Sequence, residues 1–169
     1  QRHAHRGHAE LDLLVVDQND VLVRALGLLR RDLDAQLVGQ DLQRQPLERV
    51  LPSLLERSVE RGWRVVVQAA SEERVEALDA LLWTYRDESF LPHGTASDSA
   101  AAAQPILLTT ADHNPNGANV RFLIDGTPMP ADANAYARIV LLFDGEDEDA
   151  VAVARARWSE AKAQGFDAT

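Results

Sequence analysis

Apolar residues along this chain recur at two spacings, and the alternation between them marks out strands and helices. Residues 11–17 (LDLLVVD) are an apolar run of strand length. Val21, Leu22, Ala25, Leu26, Leu29, Leu33 and Leu37 follow at helical spacing, so this stretch reads as a strand–helix unit. LVGQDL (37–42) is a strand candidate. Pro46 precedes a second helical stripe of Leu47, Val50, Leu51, Leu54, Leu55 and Val59, running to about Arg61. Pro52 disturbs its first turns unless the regular helix begins close to it, and Gly62 stops it. WRVVVQ (63–68) is a β-branched run suited to a buried strand.

The same alternation continues to the end of the chain. Ser71 is a good N-cap, followed by Glu72 and Glu73, and Val75, Leu78, Leu81 and Leu82 carry a helix to about Tyr85. TASDSAAAAQ (95–104) reads as a mobile loop. PILLTT (105–110), NVRFLI (119–124) and RIVLLF (138–143) are strands, separated by ADHNPNGA and DGTPMPADANA, both rich in turn residues. Asp144, Glu146, Asp147, Glu148 and Asp149 suit the positive end of a last helix, which runs to about Gln164 and ends at Gly165. The expected fold class is α/β. It is a three-layer αβα arrangement with a mainly parallel (mixed) sheet and a Rossmann-like topology without a nucleotide site.

Composition narrows the chemistry. The 169 residues include 27 Asp+Glu against 17 Lys+Arg, a formal net charge of −10. That balance argues against broad contact with a phosphate backbone and leaves room only for a local basic patch. There is no cysteine, which excludes disulfides, thiolate metal sites and a cysteine nucleophile. Lys162 is the sole lysine. No apolar run approaches the length of a membrane span, and no stretch has signal-peptide organisation. A cytoplasmic location without membrane association is therefore expected. His3, His5 and His8 lie in a polar opening that reads as tail rather than as a metal tract.

No catalytic motif emerges. The turn after residues 63–68 is AASEER, without the glycines of a dinucleotide fingerprint. There is no phosphate-binding loop, no GxSxG elbow and no HExxH spacing, and His93 and His113 are isolated. The opening unit resembles the first unit of a response-regulator receiver domain. Gln18 follows Asp17, however, and no lysine occurs before residue 162, so the phosphotransfer site is missing. A nucleotide-binding α/β enzyme and a receiver-like signalling module stand as alternatives to a binding protein. No cofactor is expected.

Two segments exceed ordinary core needs. In LDALLWTYRDESFLPHGT (78–95), Trp83, Phe90, Leu91 and Pro92 lie at or beyond a helix end. They either fill the core or form an exposed platform of the kind enriched at interfaces. In the last helix, Val151, Arg155, Trp158 and Lys162 share one face. That stripe reads either as a solvated face or as a pocket for a peptide bearing a carboxylate and an apolar end.

Taken together, these segments resemble the chi subunit family of bacterial DNA polymerase III holoenzyme. The resemblance rests on GWRVVV, LDALLWTY and ESFLPHG at these spacings, then QPILLTT, NPNGANVRFLIDG, RIVLLFDG and ARARW. It covers roughly residues 37–169 and implies a chi-like α/β domain there, with residues 1–36 as an extension or added strand–helix unit. It further implies a non-catalytic accessory subunit that pairs with the psi subunit of the clamp-loader assembly. Such a subunit binds the acidic C-terminal tail of single-stranded-DNA-binding protein, and meets nucleic acid only indirectly. By this resemblance Trp83 and Phe90, with Leu91 and Pro92, face psi. Arg155 and Trp158 match the arginine and aromatic of the tail site, Lys162 extends it and Arg157 flanks it. Val151 stands where some relatives carry a basic residue.

The chain departs from the family pattern in three places. Residues 1–36 have no recognised counterpart, and Gly39, Gln40 and Asp41 replace an aromatic-rich first strand. The chain stops at Thr169, where relatives usually continue with an aromatic strand. With Gln1 in place of an initiating methionine, the expectation is a trimmed member with a foreign or extended N-terminus.

Overall fold

Val65, Val66 and Val67 are all fully buried, and a strand that is apolar on both faces must be covered on both faces. The computed structural model, which describes residues 12–17, 47–88, 90–143 and 147–168, meets this demand with helices and loops around a parallel sheet. The strands are β1 (Asp12–Asp17), β2 (Val65–Gln68), β3 (His93–Thr95), β4 (Ile106–Thr109), β5 (Val120–Leu123), β6 (Arg138–Phe143) and β7 (Asp167–Ala168). The helices are α1 (Leu47–Glu60), α2 (Glu72–Thr84) and α3 (Glu148–Ala163). Strand order is β3-β4-β2-β5-β6-β1-β7. Every pairing among the described strands is parallel, in keeping with the mainly parallel sheet expected.

Side chains alternate across this sheet as the pleat requires. On one face Val65, Val67, Ile106, Leu108, Phe122 and Val140 pack with Leu51 and Leu55 of α1 and with Val75, Leu78 and Leu82 of α2. On the other, Val66, Leu107, Leu123, Ile139 and Leu141 meet Ala154 and Ala161 of α3 and Tyr136. β1 sits between β6 and β7, with Asp12 opposite Arg138 and Asp17 opposite Phe143. The strand read at 11–17 thus belongs to the same sheet as the rest. The helical stripe at 20–36, the strand candidate at 37–42, the boundary at residue 36 and the three N-terminal histidines lie outside the described residues.

Local chemistry sets the helix ends. Ser71 caps α2, its Oγ accepting from the Arg74 N–H at 3.2 Å, and Asp147 caps α3 by accepting from Asp149 and Ala150. Gly62 has φ +77° where α1 turns into β2, a conformation costly for any side chain. Pro52 falls in the second turn of α1 and is buried there without ending the helix. Arg74 ties α1 to α2 and to the loop after β5, contacting Glu48 at 3.0 Å and Asp125 at 3.3 Å. Burial acts to raise the Glu48 pKa, but a backbone hydrogen bond and Arg74 more than offset it and hold the carboxyl below its usual value.

Three expectations about elements change. His93–Thr95 is an edge strand rather than part of a loop, because it pairs with Ile106–Leu108. Gly94 permits this: a Cβ there would come within 2.8 Å of the Asp98 and Gln104 side chains. The loop 95–104 is not wholly irregular, since Ala101–Ala103 form a 3₁₀ turn. After α3, residues 167–168 pair with Asp12 and Leu13, adding a short strand that their composition does not signal.

No α-helix lies within the links β4→β5 and β5→β6, and the chain returns there through loops, the second holding a 3₁₀ turn at Ala133–Ala135. Arg121 of β5 anchors them. It is fully buried and has no carboxylate among its hydrogen-bond partners. Its Nε and Nη2 donate to Gln68 Oε1 at 3.1 and 2.7 Å, and Nη2 also donates to the Ala111 carbonyl at 2.7 Å. Nη1 donates to the His113 carbonyl at 3.3 Å and to the Tyr136 hydroxyl at 2.6 Å. Burial raises the Tyr136 pKa above 10.0, with Arg121 opposing the shift.

An Arg121→Leu exchange would leave Gln68, the Tyr136 hydroxyl and two carbonyls short of donors. It is expected to lower the unfolding free energy by about 3 kcal/mol or more in urea titration. A Tyr136 pKa raised by folding contributes stability that is intact below pH 10.0 and is lost as pH rises through the folded-state value. Thermal unfolding followed from pH 8 to 11 should therefore show a steeper alkaline decline for the native chain than for Tyr136→Phe.

Candidate functional site

The end of α2 carries the larger exposed aromatic feature. Trp83 is 57% exposed and Phe90 71% exposed, with ring centroids 6.0 Å apart. Of the two readings of this segment, the platform describes these rings and core filling describes Leu91, which is 3% exposed. Pro92 is half-buried between them and β3. The pair stands on a fixed base. The His93 side chain is buried, with Nδ1 2.6 Å from the Leu91 carbonyl and Nε2 3.3 Å from Asp79 Oδ1. Its ring lies 4.9 Å from that of Trp83. On the far side of α2, Tyr85 donates to Glu56 at 2.8 Å, and Arg86 approaches the same carboxylate at 3.6 Å.

The second surface is one flank of α3. Ala154 and Ala161 face the core, and Val151, Arg155, Trp158 and Lys162 follow one another along the adjoining flank. Val151 is half-buried, Arg155 and Lys162 are exposed, and Trp158 is 37% exposed. The Lys162 ammonium lies 4.4 Å from the Trp158 ring centroid, a cation–π contact that steadies both side chains. The structure thus brings four of the expected tail-site residues together. Arg157 is the exception: one residue from Trp158 is about 100° around the helix, which sends it to the opposite flank. There it pairs with Glu160 at 3.2 Å.

Arg157 instead borders a cleft of about 360 Å³ where β5 and β6 end and α3 begins. Ligands of open parallel sheets usually enter at strand ends of this kind. Here the walls include Asp125, Asp147 and Asp149, while Arg74 and Arg157 are already engaged by carboxylates. A phosphate group would meet negative charge, which disfavours the nucleotide-enzyme alternative. Among the described residues, no group of three or more His, Asp or Glu side chains is placed to hold a metal ion. No described helix is long and apolar enough to cross a membrane.

Sheet and surfaces define a parallel α/β protein whose exposed features are aromatic and cationic rather than nucleophilic. Residues 36–169 match the family described as DNA polymerase III chi subunit, HolC, and the chain belongs to that family. The probable DNA polymerase III subunit chi of Rickettsia prowazekii (strain Madrid E) is 35% identical over 76 residues, covering 45% of this chain and 46% of that protein. The DNA polymerase III subunit chi of Pseudomonas aeruginosa (strain PAO1) is 36% identical over 55 residues, covering 32% of this chain and 37% of that protein. The chain spans less than half the length of each of these two curated relatives. Membership connects it with DNA polymerase III and so with DNA replication.

The platform geometry separates two roles within one segment. Trp83→Ala should lower the unfolding free energy from urea titration by under about 1 kcal/mol, because most of the ring is in water. Leu91→Ala should cost about 2–4 kcal/mol, the range for truncating a buried leucine.

Proposed function

We propose that this chain is a non-catalytic accessory subunit that joins two proteins, with one partner on the Trp83–Phe90 platform and another on the α3 flank. The platform carries the reading, since two large aromatics more than half exposed contribute little to the core and leave their faces open to a partner. By family resemblance the platform's partner is the psi subunit, through which the chain meets the clamp loader. The α3 partner is the acidic C-terminal tail of single-stranded-DNA-binding protein, so contact with nucleic acid is indirect and the setting cytoplasmic. Arg155 supplies a planar fork for a terminal carboxylate and Trp158 walls an apolar slot. Lys162 adds charge for upstream acidic residues. Val151 contributes an apolar contact, so the site has one cation fewer than in some relatives. Arg157, on the other flank of α3, is left out of it.

Binding is expected to be micromolar in order, since the contact is small and salt-screened. Fluorescence anisotropy with a labelled acidic tail peptide should show Arg155→Ala weakening it about tenfold. Trp158→Ala should weaken it with a smaller change in salt dependence. Equal affinities for native and Arg155→Ala chains would remove the tail assignment. On the platform, Trp83→Ala should cost about 2 kcal/mol of psi affinity while the fold is retained. A pull-down from lysate in which psi is captured equally by Trp83→Ala would remove that partner.

A further inference from the structure

A third surface lies on the flank of α1 that faces away from α2. Trp63, at the entrance to β2, packs partly against the core, and two guanidinium groups stand over its ring. Arg61 lies 5.4 Å from the ring centroid and Arg138, at the start of β6, lies 5.5 Å from it. Arg57, one turn before Arg61 on α1, completes the rim of a notch of about 30 Å³. Leu54, Phe122 and Val140 form its apolar floor. That volume is more than the roughly 10–15 Å³ one water needs, enough for the tip of a small aliphatic side chain.

Arg74, Arg86 and Arg157 each meet a carboxylate, whereas Arg57 and Arg61 have no such partner among the described residues. Two arginines at i and i+4 repel each other. The negative end of α1 favours a cation near Arg57, but it does not call for a tryptophan and an apolar floor beside it. Arginine and tryptophan are the side chains most concentrated at binding hot spots.

We propose that this notch docks an acidic segment of a partner protein, one that seats a small aliphatic side chain on the floor and presents carboxylates to Arg57 and Arg61. The site is separate from both surfaces described above. A single-stranded nucleic acid fits it less well. Proteins that hold such strands offer open aromatic faces along an extended basic groove. Here the Trp63 ring is half-buried and already carries its own arginines, so it offers no open face for a base to stack on.

The test uses the full chain in an Arg155→Ala background, so that the α3 flank does not compete. The probe is a fluorescein-labelled peptide of aspartates around one valine, followed by anisotropy at low and moderate salt. Expected is saturable binding that weakens about tenfold in Arg57→Gln/Arg61→Gln, with a shallower salt dependence. Arg57 and Arg61 reach solvent, so the fold should survive. A single Arg61→Glu exchange, with its melting temperature measured alongside, gives an independent reading of the same loss. The proposal is overturned if the parent does not bind the probe, or if both variants bind it as the parent does. It is equally overturned if labelled oligothymidylate binds at these arginines in place of the peptide.

Discussion

The guanidinium of Arg121 is the constraint on which the loop-covered part of the sheet depends. A parallel connection usually closes with a helix packed on the sheet, and α3 can cover only part of that face. Both loops that return to β5 and β6 bring polar backbone to a surface where water is scarce. Arg121 meets that demand from the middle of β5, with five N–H groups shared among Gln68, Tyr136 and two loop carbonyls. A buried charge without a carboxylate is normally costly, and here the cost is offset because each donor finds an oxygen. Asn114 and Asn116 add to the same loop: Asn114 closes it onto Ala118, and Asn116 reaches the Val65 and Gln104 carbonyls.

What could be read from the sequence was the part governed by short-range rules. The valine run of β2, the Ser71 cap and the glycine after α1 each specify their element through a few neighbouring residues, and the alternation of strands and helices yields the layer order. β3 escapes such reading because His93, Gly94 and Thr95 carry no apolar pattern, and only pairing with β4 makes them a strand. Arg121 escapes for a related reason. In VRFL an arginine between apolar residues suggests a solvent-facing position, yet here both faces are covered.

The interaction surfaces divide along the same line. Helical spacing correctly grouped Val151, Arg155, Trp158 and Lys162, because α3 is continuous through them. It also separates Arg157 from that group, which adjacency in sequence obscures. Whether Trp83 and Phe90 filled the core or faced water was undecidable from pattern alone, since the answer depends on how Leu91 and His93 anchor the turn beneath them. Trp63 gave no signal at all, because its neighbours Arg61 and Arg138 are far apart in the chain. On a molecule of net charge −10, each cationic surface acts only at short range, so distance and geometry select a partner more than the overall field does.

The stacking of Lys162 on Trp158 has a practical corollary. Since it is the only lysine, it carries the only side-chain amine in the chain. Acylating reagents that would scatter over the surface of an ordinary protein have a single side-chain target here, seated on an indole. Among side chains, amine chemistry thus becomes site-directed without mutagenesis. One acyl group removes the cation from the ring while leaving every arginine charged, and a dye attached there reports on the environment of Trp158 by quenching.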